Sequence, residues 1–206
     1  MKSKFISFEG IDGSGKTTQI NWLSRWFDKK NIPYTVLREP GGAFLCEKIR
    51  ELLLDSNIEV SSRSETLLFM AARAQLIEEI IKPDMKDGKF IICDRFIDST
   101  IAYQGYGRKL DLDVIRNMNK FSTENITPDI TFLMNIDVQS SIKRRIGSDI
   151  DRMEAAGDNF LSIVREGYIK ICNDNSDRCH IIDAEMDEES IFNNIKQILL
   201  KKIKGI

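Results

Sequence analysis

Near the amino terminus, Gly10-Ile11-Asp12-Gly13-Ser14-Gly15-Lys16-Thr17 gathers three glycines, an ammonium group and a hydroxyl into one short stretch. The spacing fits G-x-x-x-x-G-K-[ST]. Glycines let a loop wrap its backbone N–H groups around phosphate oxygens, and the helix that follows adds a partial positive charge at its N-terminus. In such a loop Lys16 reaches the β- and γ-phosphates and Thr17 holds Mg²⁺. Four fixed letters at this spacing arise by accident in roughly 1 in 100 chains of this length. An apolar run precedes the motif and an amphipathic stretch follows it, as a strand–loop–helix cradle requires. The pattern therefore predicts a nucleoside triphosphate held by Gly10, Ile11, Asp12, Gly13, Ser14, Gly15, Lys16, Thr17 and Thr18, with Mg²⁺ as companion.

A second chemical cluster follows a later apolar run, Phe90-Ile91-Ile92-Cys93-Asp94-Arg95. Asp94 is placed to order Mg²⁺ through water. A hydrolase would usually continue with an acidic residue that positions water. Here the next residue is Arg95, and the sequence has no Asn-Lys-x-Asp motif for reading guanine. An arginine beside the metal-linked carboxylate suits a second phosphate better than an attacking water.

These residues need a scaffold that sets them side by side. Apolar runs at Phe5–Phe8, Tyr34–Leu37, Phe90–Cys93, Ile130–Ile136 and His180–Ile182 read as strands. Helical patterns lie between and after them, at Thr17–Lys30, Phe44–Leu54, Glu65–Ile81, Leu112–Phe121, Asn159–Cys172 and Glu188–Lys202. Such alternation predicts an α/β protein with a five-stranded parallel sheet covered on both faces. The length of 206 residues suits one domain, 1–206. Arg144–Asp158 is the most charged and least periodic stretch and reads as a mobile lid or insert.

Composition narrows the function. Thirty basic and 32 acidic residues leave a net charge of −2, which argues against a nucleic-acid coat. The lone histidine, His180, rules out a multi-histidine metal site and reads as structural. No run is long and apolar enough for a membrane span or a secretory leader. Cys46, Cys93, Cys172 and Cys179 form no C-x-x-C pair and read as reduced cytosolic thiols.

The segment Asp94–Gly105 then becomes specific. It resembles the DR-[FYH]-x-x-S-x-x-AYQG stretch of thymidylate kinases. Arg38-Glu39-Pro40-Gly41-Gly42 resembles their REPGG loop. Glu65–Gln75, ETLLFMAARAQ, resembles their thymine-binding helix. Asp151-Arg152-Met153-Glu154, with Phe160, Arg165, Gly167 and Tyr168, resembles their lid and the next helix. The resemblance implies a three-layer P-loop kinase fold with a lid. It further implies transfer of the γ-phosphoryl of ATP to dTMP for dTTP synthesis, a homodimer and a cytoplasmic location.

Roles follow residue by residue. Phe69 and Arg73 lie one helical turn apart and share a face. By resemblance Phe69 stacks on thymine and Arg73 donates to its O4, an acceptor where cytosine offers a donor. Gln104 pairs with the base edge, and its amide can both donate and accept. Asp12 accepts from the 3′-hydroxyl, and Tyr103 crowds C2′. Arg50 and Arg95 hold the acceptor phosphate, while Glu39 and Ser99 line the same site. Arg38 is equally an ion pair of the fold. Thymidylate kinases supply one arginine from the P-loop or the lid; the P-loop here has none, so the resemblance implies that the lid provides it, from Arg144, Arg145 or Arg152. Arg152 is favoured, with Arg145 in support. Many relatives carry Arg-Gly where this chain has Gly147-Ser148, which leaves the choice open. Asp183–Asp187 is placed to border the adenine. Competing readings are another P-loop kinase acting on a nucleoside or a different monophosphate, and a non-catalytic ATP-binding switch.

Overall fold

The computed structural model describes residues 3–145, 152, 157–203 and 205. The strands are β1 (Phe5–Glu9), β2 (Tyr34–Arg38), β3 (Phe90–Asp94), β4 (Ile130–Asn135) and β5 (Cys179–Asp183). They form one sheet in the order β2-β3-β1-β4-β5, every neighbouring pair parallel. β1 is buried along its length, as expected for a central strand with helices on both faces. Alternate residues of β3 enter opposite cores: Phe90 and Ile92 join one, Ile91 and Cys93 the other.

The first core packs β1, β3 and β4 against α1 (Lys16–Lys29), α8 (Asp158–Asp174) and α9 (Glu188–Lys202), through residues such as Leu23, Phe27, Val164 and Leu199. The second packs the sheet against α2 (Phe44–Leu54) and α3 (Ser62–Leu76), through Cys46, Leu53, Ala72 and Leu76. The strand order turns back around β1. The carboxyl ends of β1 and β3 therefore open on the crevice where open α/β sheets bind ligands.

All five expected strands and six expected helices form, with boundaries shifted by a few residues. The helix expected from Glu65 begins earlier, because Ser61 caps it by accepting from the Ser64 N–H at 3.3 Å. It continues past Leu76 through a π-helical turn, Ile77–Ile81, into α4 (Lys82–Lys86). Three elements lack a sequence forecast. α5 (Ile97–Thr100) and the π-helical segment Ile101–Gly107 are rich in Ser, Thr, Gly and aromatic residues, with no 3.6-residue apolar stripe. α7 (Val138–Arg144) is short and capped by Asp137. The remaining helix is α6 (Leu112–Thr123).

One expectation is corrected. Cys46 and Cys93 are free and buried, but Cys172 and Cys179 form a disulfide with a Cα separation of 5.1 Å. The turn after α8 folds the chain straight back into β5, so cysteines seven residues apart meet. His180 packs its ring on Phe132 within the sheet. No described helix is long and apolar enough to cross a membrane. Of the expected lid, residues 146–151 and 153–156, including Gly147, Ser148, Asp151, Met153 and Glu154, lie outside the described residues.

Candidate active site

The P-loop leaves β1 and closes on the first turn of α1, whose N-cap is Gly15. Gly13 adopts φ +75°, and a Cβ there would come within 2.6 Å of the Ser141 carbonyl oxygen. Glycine therefore lets α7 press against the loop. The Ser141 hydroxyl also donates to the Asp12 carbonyl at 2.6 Å. Lys16 is buried, and its Nζ donates to the carbonyls of Gly10 and Ile11 at 3.1 and 3.2 Å. Burial, together with the neighbouring Arg95 charge, lowers the Lys16 pKa. The Thr17 hydroxyl lies 3.4 Å from Asp94 Oδ2. That pair of hard oxygen donors fits Mg²⁺, which takes few protein ligands and fills its octahedron with phosphate and water. Among the described residues no group of three acidic, Cys or His side chains forms a metal cage of its own. The cleft around the loop is further lined by Thr18, Arg144, Met186 and Asp187, the last two from the turn after β5.

Arg95 forms the hinge of the site. It follows β3 with φ +70°, a left-handed conformation uncommon outside glycine. Its guanidinium donates to Asp12 Oδ1 at 2.7 Å, to the Gly10 carbonyl at 2.8 Å and to the Tyr168 hydroxyl at 3.1 Å. It lies over the Tyr103 ring at 5.2 Å. Burial would raise the Asp12 pKa, but the charges of Arg95 and Lys16 more than offset this and hold the carboxyl well below its ordinary range.

A second cavity opens beside this hinge. Leu54 of α2, Phe69 and Arg73 of α3, and Ser99, Tyr103 and Gln104 line it. Arg73 is 1% exposed. It donates through Nε to Glu39 Oε2 at 2.8 Å, through Nη1 to Asn119 Oδ1 at 2.6 Å and through Nη2 to the Phe96 carbonyl at 3.1 Å. Burial raises the Glu39 pKa, against the pull of Arg73. Arg50 donates to the Pro40 carbonyl at 2.9 Å, beside the cis Glu39–Pro40 bond. The π-helical segment aims Tyr103 and Gln104 inward, a use of irregular helix common at functional sites.

The predicted residues thus fall into two adjoining clefts. Lys16, Thr17, Thr18 and Asp94 line one; Phe69, Arg73, Ser99, Tyr103 and Gln104 line the other. Asp12, Glu39, Arg50 and Arg95 line both. The lid arginines separate. Arg144 lines the P-loop cleft, and the Arg145 stem lies against Gly13. Arg152 instead donates to the Leu53 carbonyl at 2.8 Å and to Glu65 at 2.7 Å, beyond the second cavity. Arg38 pairs with Glu47 at 3.0 Å.

Three further residues complete the site without a role legible in the sequence. Glu9, wholly buried, accepts from the Phe96 N–H and from the Ser99 hydroxyl at 2.8 and 2.6 Å. Tyr168 joins the same network. Glu65 bonds Gln104, Arg108 and Arg152. The available signals were a carboxylate ending an apolar strand, and a Glu on the same helical stripe as Phe69 and Arg73.

A polyphosphate cradle that shares its arginines with a second, base-sized pocket defines a P-loop phosphotransferase acting between two anionic ligands. The family model for thymidylate kinase matches residues 8–195. A thymidylate kinase of Thermosipho africanus (strain TCF52B) is 46% identical over 201 residues, covering 98% of this chain and 100% of that protein. One of Prochlorococcus marinus (strain NATL2A) is 48% identical over 213 residues, with both chains covered in full. The crystal structure of a thymidylate kinase from Ehrlichia chaffeensis superposes with a TM-score of 0.80 at 36% identity, covering 97% of this chain and 100% of that one. The chain belongs to the thymidylate kinase family.

Proposed function

We infer that this chain transfers the γ-phosphoryl group of ATP to dTMP, giving dTDP and ADP for dTTP synthesis. The observation that carries the reading is the seam: Asp12, Glu39, Arg50 and Arg95 border both the P-loop cleft and the base-sized cavity. Two phosphates bound in those clefts would meet at these side chains.

ATP lies along residues 10–18, with Lys16 on the β- and γ-phosphates. Thr17 and Asp94 are the residues that would hold Mg²⁺, which when bound screens and orients the phosphates. In the second cavity Phe69 stacks on thymine, Arg73 and Gln104 read its edge, and Tyr103 packs against the sugar. Asp12 accepts from the 3′-hydroxyl, while Arg50 and Arg95 hold the 5′-phosphate, bordered by Glu39 and Ser99. An oxygen of that phosphate attacks the γ-phosphorus as the β–γ bridge bond breaks. The attacking oxygen is already anionic, so no general base is required. Lys16 and Arg95 are catalytic through charge neutralisation, joined by lid arginines. The position of Arg145 against Gly13 and of Arg144 in the P-loop cleft supports a contribution from that helix end. Arg152 remains a catalytic candidate if closure carries it from Glu65 to the phosphates.

The exposed apolar residues Leu67, Val114 and Phe121 around the α3–α6 groove support the expected homodimer. The cytoplasm, where ATP is made and dTTP is used, is the proposed site of action.

A coupled ADP-release assay tests the reading. With ATP and Mg²⁺, dTMP should give fast turnover and dTDP as product, far above dCMP, AMP or thymidine. Faster turnover of another acceptor, or ATP hydrolysis without dTDP, would overturn it.

A further inference from the structure

Resting on the dTMP reading, we propose that Glu65 is a positioning residue that sets pyrimidine choice by fixing which end of the Gln104 amide faces the base pocket. A glutamine amide has a donor end and an acceptor end of nearly equal size. Swapping them would turn a site for one base edge into a site for the complementary edge, so something must hold the orientation. Glu65 is fully buried in the first turn of α3, where the helix dipole favours a carboxylate. Its Oε1 accepts from Gln104 Nε2 at 2.9 Å. Arg108 donates to both Glu65 oxygens at 3.2 Å, and Arg152 donates to Oε2 at 2.7 Å. A carboxylate between two guanidinium groups offers only acceptors, so the group facing it must be the donor end of Gln104.

The consequence lies at the other end of the amide. Gln104 is 1% exposed and lines the base-sized cavity, and its Oε1 has no partner among the described residues. With Nε2 bonded to Glu65, the unpartnered Oε1 is the acceptor that the amide can turn to the base. An acceptor matches the N3–H of thymine and opposes N3 of cytosine, which is itself an acceptor. Arg73, on the same stripe of α3, lines the same cavity, with its guanidinium held by Glu39, Asn119 and the Phe96 carbonyl. Glu65 touches no base, and its effect passes through Gln104. A site built around one hydrogen-bond polarity rejects the opposite polarity strongly, because the mismatch leaves buried groups unpaired.

The test is Glu65→Gln, close to isosteric but able to donate as well as accept. Steady-state kinetics with dTMP and dCMP would be measured for the unaltered and variant chains, with thermal unfolding alongside. The variant should lose about tenfold in the dTMP:dCMP ratio of kcat/KM, mostly through a higher KM for dTMP, while KM for ATP stays put. An unchanged ratio in a folded variant, whatever the change in stability, overturns the inference. Arg108→Met covers the case in which Glu65→Gln does not fold. It replaces the guanidinium that lies over the Phe160 ring with an apolar side chain and removes one side of the clamp. Its ratio should fall about two- to threefold, and no change overturns the inference equally. If the unaltered chain makes no dTDP, the dTMP reading fails as well. If it makes dTDP normally and the ratios do not move, only this inference fails.

Discussion

The two clefts are built on different principles. The P-loop cleft is a contiguous piece of backbone: one strand end, one glycine loop and one helix start supply the donors, and few side chains matter. The base-sized cavity is assembled from side chains on α2, α3, the turn after β3 and the π-helical segment, held by buried ion pairs such as Arg73–Glu39. A backbone cradle can lose a side chain and keep its shape. A cavity whose walls are mutually paired charges cannot, because each removal leaves a buried partner uncompensated. The acceptor side should therefore couple recognition to stability, and the donor side should not.

Lys16→Met is the sharpest way to break that contrast and carries the largest effect. Removing a preorganised charge from the transferred phosphoryl should lower kcat by about 10³-fold or more. The fold should survive, since Lys16 is buried and its charge is disfavoured by that burial. Substantial remaining turnover, or an unfolded variant, would erase the distinction. Arg73→Met probes the other side. Glu39 would be left buried without its guanidinium partner, so denaturant unfolding should register a loss of about 3–5 kcal/mol together with weaker dTMP binding. A stable variant with weak binding alone would mean that the cavity is no more interdependent than the cradle.

The same contrast explains what could be read from the chain alone. The cradle is local in sequence, and Gly10–Thr17 announced it without help. Phe69 and Arg73 were legible because a helix puts residues four apart on one face. The shared border of the clefts joins Asp12, Glu39, Arg50 and Arg95; Asp12 stood inside the P-loop motif and Arg95 pointed to a second phosphate from its place beside Asp94, while the roles of Glu39 and Arg50 came only by resemblance to a family. No spacing rule links residues that meet through sheet topology. Glu9 carries no such signal: a lone carboxylate at a strand end has no spacing partner in the sequence. Its network with Phe96, Ser99 and Tyr168 exists only once β1, β3 and α8 are packed. The turn that brings Cys172 to Cys179 is likewise a tertiary event, invisible to cysteine spacing.

Glu9 sits at the joint between the two regions, and its titration measures how tightly they are coupled. Burial, reinforced by the nearby Asp98 charge, pushes its pKa up to about 7, well above the ordinary carboxylate range. The folded chain thus keeps a proton that the unfolded chain has released. The resulting stabilisation is fully present below pH ~4.5 and fades as pH rises through about 7. Glu9→Gln does not titrate. The stability of the unaltered chain relative to this variant should therefore fall across that window by about 3 kcal/mol, at roughly 1.4 kcal/mol per pH unit. Parallel pH–stability curves would mean that Glu9 is already charged throughout and serves the hinge only as an acceptor.

Phe69→Ala carries the smallest effect and separates recognition from framework within the acceptor cavity itself. Phe69 is only partly buried and belongs to the edge of the second core, so it lacks the paired charges that make Arg73 structural. Losing the stacking face should raise KM for dTMP about tenfold, equivalent to roughly 1.4 kcal/mol, with KM for ATP unchanged. Stability should fall far less than in Arg73→Met. If both variants lose stability alike, the cavity is a single cooperative unit and its ion pairs are not what ties binding to folding. If only Arg73→Met does, the buried charge pairs are that tie, and dTMP affinity can be tuned at aromatic positions without endangering the fold.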